Sequence, residues 1–224
     1  MRQAIQFLTI LPMHAPPGQS AWAFPVVGGL LGLAVAGLFP FKLGPILIVI
    51  LLAVLTGGLH EDGLADVFDA IRAYRTPEKM LTIMKDSRIG AHGAIALIAS
   101  FTFRWQALSL MQGDPWIRLP AALGIARAAM VMLASTSPPA GDGLGRSFID
   151  SLPRGAFAIA AMQALLLAAI TGWPAAGVVT GANILLLAAL RIWFLKRLGG
   201  ITGDCLGAVC QISEAATFGV LACL

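Results

Sequence analysis

Long uncharged runs alternate with short polar segments along most of this chain. Apolar windows long enough to cross about 30 Å of hydrocarbon lie near 24–41, 43–59, 92–111, 118–135, 155–171, 173–195 and 206–223. The pattern predicts one all-α domain over residues 1–224, a polytopic integral membrane bundle of about seven transmembrane helices. Several windows are short or hold Gly and Pro, so a re-entrant or strongly tilted segment fits the same pattern. The stretch 60–91 is different. It is too long for a turn, and Leu64, Val67, Phe68 and Ile71 recur at helical spacing, which predicts an amphipathic helix at the membrane interface. A break at Thr76-Pro77 then starts a second short helix, Glu78 to Asp86, with Thr76 as cap, and Gly90 lets the chain turn into the next window. Met1 to Pro12 carries one Arg and no cleavage pattern, and is expected to lie along the membrane surface.

Composition supports the membrane reading: 58% of residues are hydrophobic, 12% are charged, and mean hydropathy is +0.85. Charge also orients the bundle. With seven spans, one side collects Arg2, Arg72, Arg75, Lys79, Lys85, Arg88, Arg146, Arg154, Lys196 and Arg197, and the other only Lys42 and Arg118. Ten basic residues against two make the first side cytoplasmic, in the cell (inner) membrane. The net charge of +4 therefore reflects topology and calls for no nucleic acid. Cys205, Cys210 and Cys223 show neither disulfide nor metal spacing and read as small core residues.

The same side holds most of the acids, and four of them are crowded together. GGLHEDGLADVFDA (57–70) sets Glu61, Asp62, Asp66 and Asp69 directly after a charge-free run. At about 100° per residue, Asp62, Asp66 and Asp69 share an arc of roughly 60°, with Glu61 flanking it. Like charges at this spacing repel, more so beside a low-dielectric boundary, and a cation relieves them. Mg²⁺ suits the set, because it takes one or two carboxylates together with substrate phosphate oxygens. A solvated acidic helix start is the alternative. Lys85, Asp86, Ser87 and Arg88 form a mixed-sign cluster in which Lys85 and Arg88 suit phosphate oxygens, while Asp86 either completes a metal shell or pairs with Arg88.

A second glycine-rich loop, LGGITGDCLG (198–207), offers the backbone amides of Gly199, Gly200, Thr202 and Gly203 to a phosphate. It also resembles the first. GGLHEDGLADV (57–67) and GGITGDCLGAV (199–209) match at five of eleven positions, pairing Asp62 with Asp204 four spans apart, so both fall on one membrane face. This suggests that Asp62 and Asp204 approach one metal-phosphate centre from two sides. His60 lies roughly 160° round the helix from Asp62 and either polarises a substrate group or hydrogen-bonds the loop. Arg104, Arg127, Arg191 and Glu214 interrupt apolar windows and are expected to face inward, with Glu214 paired to one of the arginines; Arg191 is also placed to snorkel.

At these motifs the chain resembles the cobalamin 5′-phosphate synthase family, also called adenosylcobinamide-GDP ribazoletransferase. The resemblance is carried by FLTILP (7–12), FPVVGGLLG (24–32), GGLHEDGLADVFDA (57–70), MKDSRIG (84–90), GLG (143–145) and GGITGDCLGA (199–208). It implies a Mg²⁺-dependent transfer in which a hydroxyl of α-ribazole, or of its 5′-phosphate, attacks the cobinamide-bearing phosphorus of adenosylcobinamide-GDP and expels GMP. Carried onto this chain, it implies Asp62 and Asp66 on the metal and Asp69 as metal ligand or general base. Lys85 and Arg88 would hold phosphate oxygens. It also implies other membrane proteins of corrinoid assembly as possible partners. An ion-coupled transporter and a non-catalytic scaffold of the same pathway are the competing classes. A carrier binds near the midplane, whereas these acids cluster at one edge.

Overall fold

The structure is a computed structural model that describes residues 1–12, 20–71 and 76–224, so His14, Arg72 and Arg75 lie outside the described residues. It is helical: α1 (Arg2–Leu8), a 3₁₀ turn at Ala21–Ala23, α2 (Phe24–Ala36), α3 (Gly44–Leu55), α4 (Leu59–Ile71), α5 (Pro77–Met84), α6 (Ala91–Leu110), α7 (Pro115–Thr136), α8 (Leu144–Asp150), α9 (Ala156–Ala169), α10 (Trp173–Leu198) and α11 (Gly203–Ala222). Among the described residues, β pairing is confined to an isolated bridge between Pro139 and Ile201.

Each of the seven apolar windows contains a helix, but only α6, α7, α10 and α11 are long and apolar enough to cross a membrane alone. α2, α3 and α9 have 13, 12 and 14 residues, roughly 18–21 Å at 1.5 Å per residue. Among the described residues, length and apolarity therefore support four full spans, and the expected count of about seven is not confirmed. A fifth is possible if α3 and α4 count as one, although they meet at 89°. That bend has a local cause. Gly57 and Gly58 take positive φ (63° and 69°), which ends α3 and redirects the chain before α4.

α7 is the central post, with 83% of its apolar window buried. Small residues let neighbours close on it. Gly28 and Gly32 of α2 form a GxxxG face, and a Cβ there would stand 2.4 Å from the Leu123 carbonyl oxygen and 2.5 Å from Pro120 Cα. α1 does not lie free on a surface: Ala4 and Leu8 are fully buried, Phe7 stacks against Phe24 and Phe148, and the Ile10 N–H bonds the Leu55 carbonyl at 2.9 Å.

The charges inside the windows turn inward as expected, and they pair more extensively than expected. Glu214 accepts from both Arg104 (2.9 Å) and Arg127 (2.6 Å), while Arg104 also reaches Glu61 (3.2 Å) and Gln211 donates to Glu61 (2.8 Å). Two cations and two anions, all nearly solvent-free, thus lock α4, α6, α7 and α11 together, and removing any one would strand an uncompensated charge. Arg191 instead donates to the Thr136 carbonyl at the end of α7.

Candidate active site

α4 and α11 cross at glycines, and the crossing builds the site. A Cβ on Gly63 would lie 2.7 Å from the Asp204 carbonyl oxygen, and one on Gly207 would lie 3.3 Å from His60 Cα. Backbones this close place Asp62 of α4 and Asp204 of α11 on one cavity of about 890 Å³, with Asp66 one turn below Asp62. Lys85, Asp86, Ser87, Arg88 and Ile89 form a second wall, and Thr56–Leu59 with Phe7, Thr9 and Ile10 form a third. The cavity is acidic on one side, basic opposite and partly apolar between, which suits a large substrate with an anionic centre.

Asp62 is exposed to the cavity, while Asp66 and Asp204 are half-buried. Burial, then the neighbouring carboxylates of Asp62, Asp204 and Asp69, push Asp66 up to about 7. The Thr202 hydroxyl donates to Asp204 Oδ2 (3.2 Å) and accepts the Cys205 N–H as the cap of α11. On the basic wall, Arg88 is 86% exposed and grips Asp86 through Nη2 (2.6 Å), Nε (3.0 Å) and its own N–H (3.1 Å). These hydrogen bonds hold Asp86 down to about 2. Lys85 and Ser87 stand exposed beside the pair.

Several expected site residues are placed elsewhere. Glu61 does not join the other acids: it points to a different face of α4, where Arg104 and Gln211 hold Oε1. His60 is fully buried beneath the crossing, neither ring nitrogen has a hydrogen-bond partner, and it does not line the cavity. Asp69 is also outside the lining; its two oxygens accept the Gly90 N–H (2.7 Å) and the Gly93 N–H (2.8 Å) at the start of α6. The loop 199–203 packs on neighbouring backbone and does not line this cavity. Gly200 is pressed against the backbone of Pro138–Ala140, and the Ile201 N–H is taken by the Pro138 carbonyl. Gly199, Gly200, Thr202 and Gly203 all lie off the cavity wall. Asp86 is committed to Arg88, so of the six acids proposed as ligands only Asp62, Asp66 and Asp204 face the cavity without a competing cation. The wall of Phe7, Thr9 and Ile10 falls within the FLTILP motif, to which the sequence alone assigned no site role.

Among the described residues, no three His, Cys, Asp or Glu side chains are close enough to hold a metal as a ready-made cluster. The donors at the cavity nevertheless suit Mg²⁺: they are hard carboxylate oxygens from two helices, one of them pushed up to about 7 by burial and then by its acidic neighbours, with room for water and phosphate oxygens in the remaining positions.

A family model described as cobalamin-5-phosphate synthase matches residues 1–222. The adenosylcobinamide-GDP ribazoletransferase of Geotalea daltonii is 36% identical, covering 94% of this chain and 92% of its own length. The enzymes of that name from Herpetosiphon aurantiacus and Bradyrhizobium diazoefficiens are 37% and 39% identical, covering 100% and 96% of this chain and 96% and 89% of their own lengths. No solved structure matches. Because the match runs through the whole bundle and not only through the acidic loop, this chain belongs to the cobalamin-5-phosphate synthase family.

Proposed function

We propose that this chain joins adenosylcobinamide-GDP to α-ribazole or α-ribazole 5′-phosphate and releases GMP, as a Mg²⁺-dependent membrane transferase of cobalamin biosynthesis. One observation carries the reading: carboxylates from two helices, Asp62 and Asp66 from α4 and Asp204 from α11, face Lys85 and Arg88 across a single cavity. A diphosphate between those walls has cations for its outer oxygens and an acidic face that would hold a metal.

Asp62, Asp66 and Asp204 would hold Mg²⁺, which when bound supplies charge neutralisation to the diphosphate and the departing GMP. Lys85 and Arg88 pair with phosphate oxygens and orient the phosphorus. The ribose hydroxyl oxygen forms the new bond to the cobinamide-bearing phosphorus, the P–O bond to GMP breaks, and a cavity carboxylate takes up the hydroxyl proton. Positioning and electrostatics carry most of such a reaction, because its loose transition state demands little covalent help. The site loops are proposed to face the cytoplasm, supported by the ten-to-two bias of basic residues obtained when the seven apolar windows alternate sides.

The test is GMP release and cobamide formation by the purified protein in nanodiscs, with Mg²⁺ or EDTA, beside a folded Asp62→Asn variant. Product that needs Mg²⁺ and vanishes in the variant is the expected result. Metal-dependent product that survives the variant would keep the reaction and remove this site; no product from folded protein would favour a carrier or scaffold.

A further inference from the structure

We infer that Asp69 is a positioning residue: it pins the loop 85–89 to α4 and so sets where Lys85 and Arg88 meet the substrate's phosphates. What the loop holds rests on the transfer reading above; the pinning itself does not.

α6 begins at Gly90, a cap with no side chain to offer its free amides. Asp69, from a different helix, does that work, accepting the Gly90 N–H at 2.7 Å and the Gly93 N–H at 2.8 Å. A carboxylate on two amides at a helix N-terminus is favoured by both charge and dipole. The fit is close enough to dictate residue type on the other side. A Cβ on Gly90 or on Gly93 would each stand 2.4 Å from an Asp69 carboxylate oxygen. Asp69 thus fixes the downstream end of the segment whose preceding residues, Lys85 to Ile89, line the cavity, while Asp66, one turn back on the same helix, lines the opposite wall. Acidic and basic walls are registered through one rigid element. With both oxygens committed to amides and the side chain off the cavity wall, Asp69 is poorly placed as a ligand or a base.

The experiment compares Asp69→Asn, Gly93→Ala and Asp66→Asn in the full-length protein. Asn keeps one acceptor and turns a donor toward the other amide. Ala at 93 leaves the carboxylate chemically intact and suits a helix better than Gly, so any loss it causes comes from displacement. For both Asp69→Asn and Gly93→Ala, KM for adenosylcobinamide-GDP should rise about tenfold or more, with kcat within about twofold. Mn²⁺ binding, read by electron paramagnetic resonance without substrate, should match wild type for both and weaken for Asp66→Asn. Trypsin should cut after Lys85 and Arg88 faster in both variants, with Arg146 and Arg154 unaffected. A kcat loss of about a hundredfold or more at unchanged KM would make Asp69 a base and overturn the inference. So would Mn²⁺ binding that weakens as in Asp66→Asn, wild-type behaviour in Gly93→Ala, or trypsin acceleration equal at all four sites. If no variant, nor wild type, turns over, the transfer reading fails, while the Mn²⁺ and trypsin measurements still decide the pinning.

Discussion

Glu61 and Asp62 are neighbours in the chain and serve different faces of α4. One helical step of about 100° sends Asp62 to the cavity and Glu61 into the ion-paired interior. The acidic crowd was legible in the sequence, but its division was not, since Glu61's partners Arg104 and Gln211 stand 43 and 150 residues away. The division has consequences that can be measured. Glu61→Ala leaves two buried arginines sharing the single carboxylate of Glu214 and should destabilise the protein by about 3–5 kcal/mol. Thermal unfolding in detergent would show this, while the Mg²⁺ requirement of the remaining folded enzyme stays at its wild-type value. A shifted metal requirement at intact stability would return Glu61 to the metal. Asp66 should behave in the converse way. Its carboxyl is pushed up to about 7, so below that pH a cation must first displace a proton. The half-saturating Mg²⁺ concentration should therefore climb by up to about tenfold per unit as pH falls below 7 and level off above it. In Asp66→Asn the slope should flatten, which a Mg²⁺ titration of GMP release at several pH values would reveal.

At the scale of elements, the crossing of α4 with α11 does for the acids what no single helix does. The sequence shows it as an internal echo, GGLHEDGLADV against GGITGDCLGAV, and the structure brings the paired Asp62 and Asp204 to one cavity. Gly57 and Gly199, also paired, both take left-handed φ (63° and 73°) before their acidic helices start. What the echo does not reveal is the different fate of the loops. The second is consumed by backbone bonds to Pro138–Ala140, a partner that sequence similarity cannot indicate. Because the contact at Gly63 is backbone to backbone, Gly63→Ala has nowhere to go. It should force α4 and α11 apart, cost about 1–3 kcal/mol from overpacking and abolish most transfer by separating Asp62 from Asp204. Gly181→Ala, where nothing lies within 4 Å of the new Cβ, should leave activity unchanged. Equal activity in both variants would show that the crossing does not set the site.

For the molecule as a whole, two ends are distinguishable without reference to a bilayer. The cavity, the Pro139–Ile201 bridge and the acid-bearing starts of α4 and α11 gather at one end. At the other, Arg118 donates to the Leu221 carbonyl at 2.6 Å and Trp116 packs near Gly37. Hydropathy located a helix in each of the seven apolar windows but not how many are long enough to cross alone. A window's apolar length does not reveal that Gly57-Gly58 will bend the chain, or that α2, α3 and α9 stop at 12–14 residues. Short α2 and α9 pack against the long central α7, and the polar cavity lies beside the apolar core that they form. The basic residues then decide which end faces which compartment, and the chain carries its own probe. Cys205 and Cys210 are buried, whereas Cys223 is exposed, at the end away from the acids. In intact cells a membrane-impermeant maleimide should label the wild-type protein through Cys223 and fail on Cys223→Ser. Asp142→Cys in that background, on the loop at the cavity end, should label only after the membrane is opened. The reverse pattern would place the site on the outer side and overturn the orientation drawn from the basic residues.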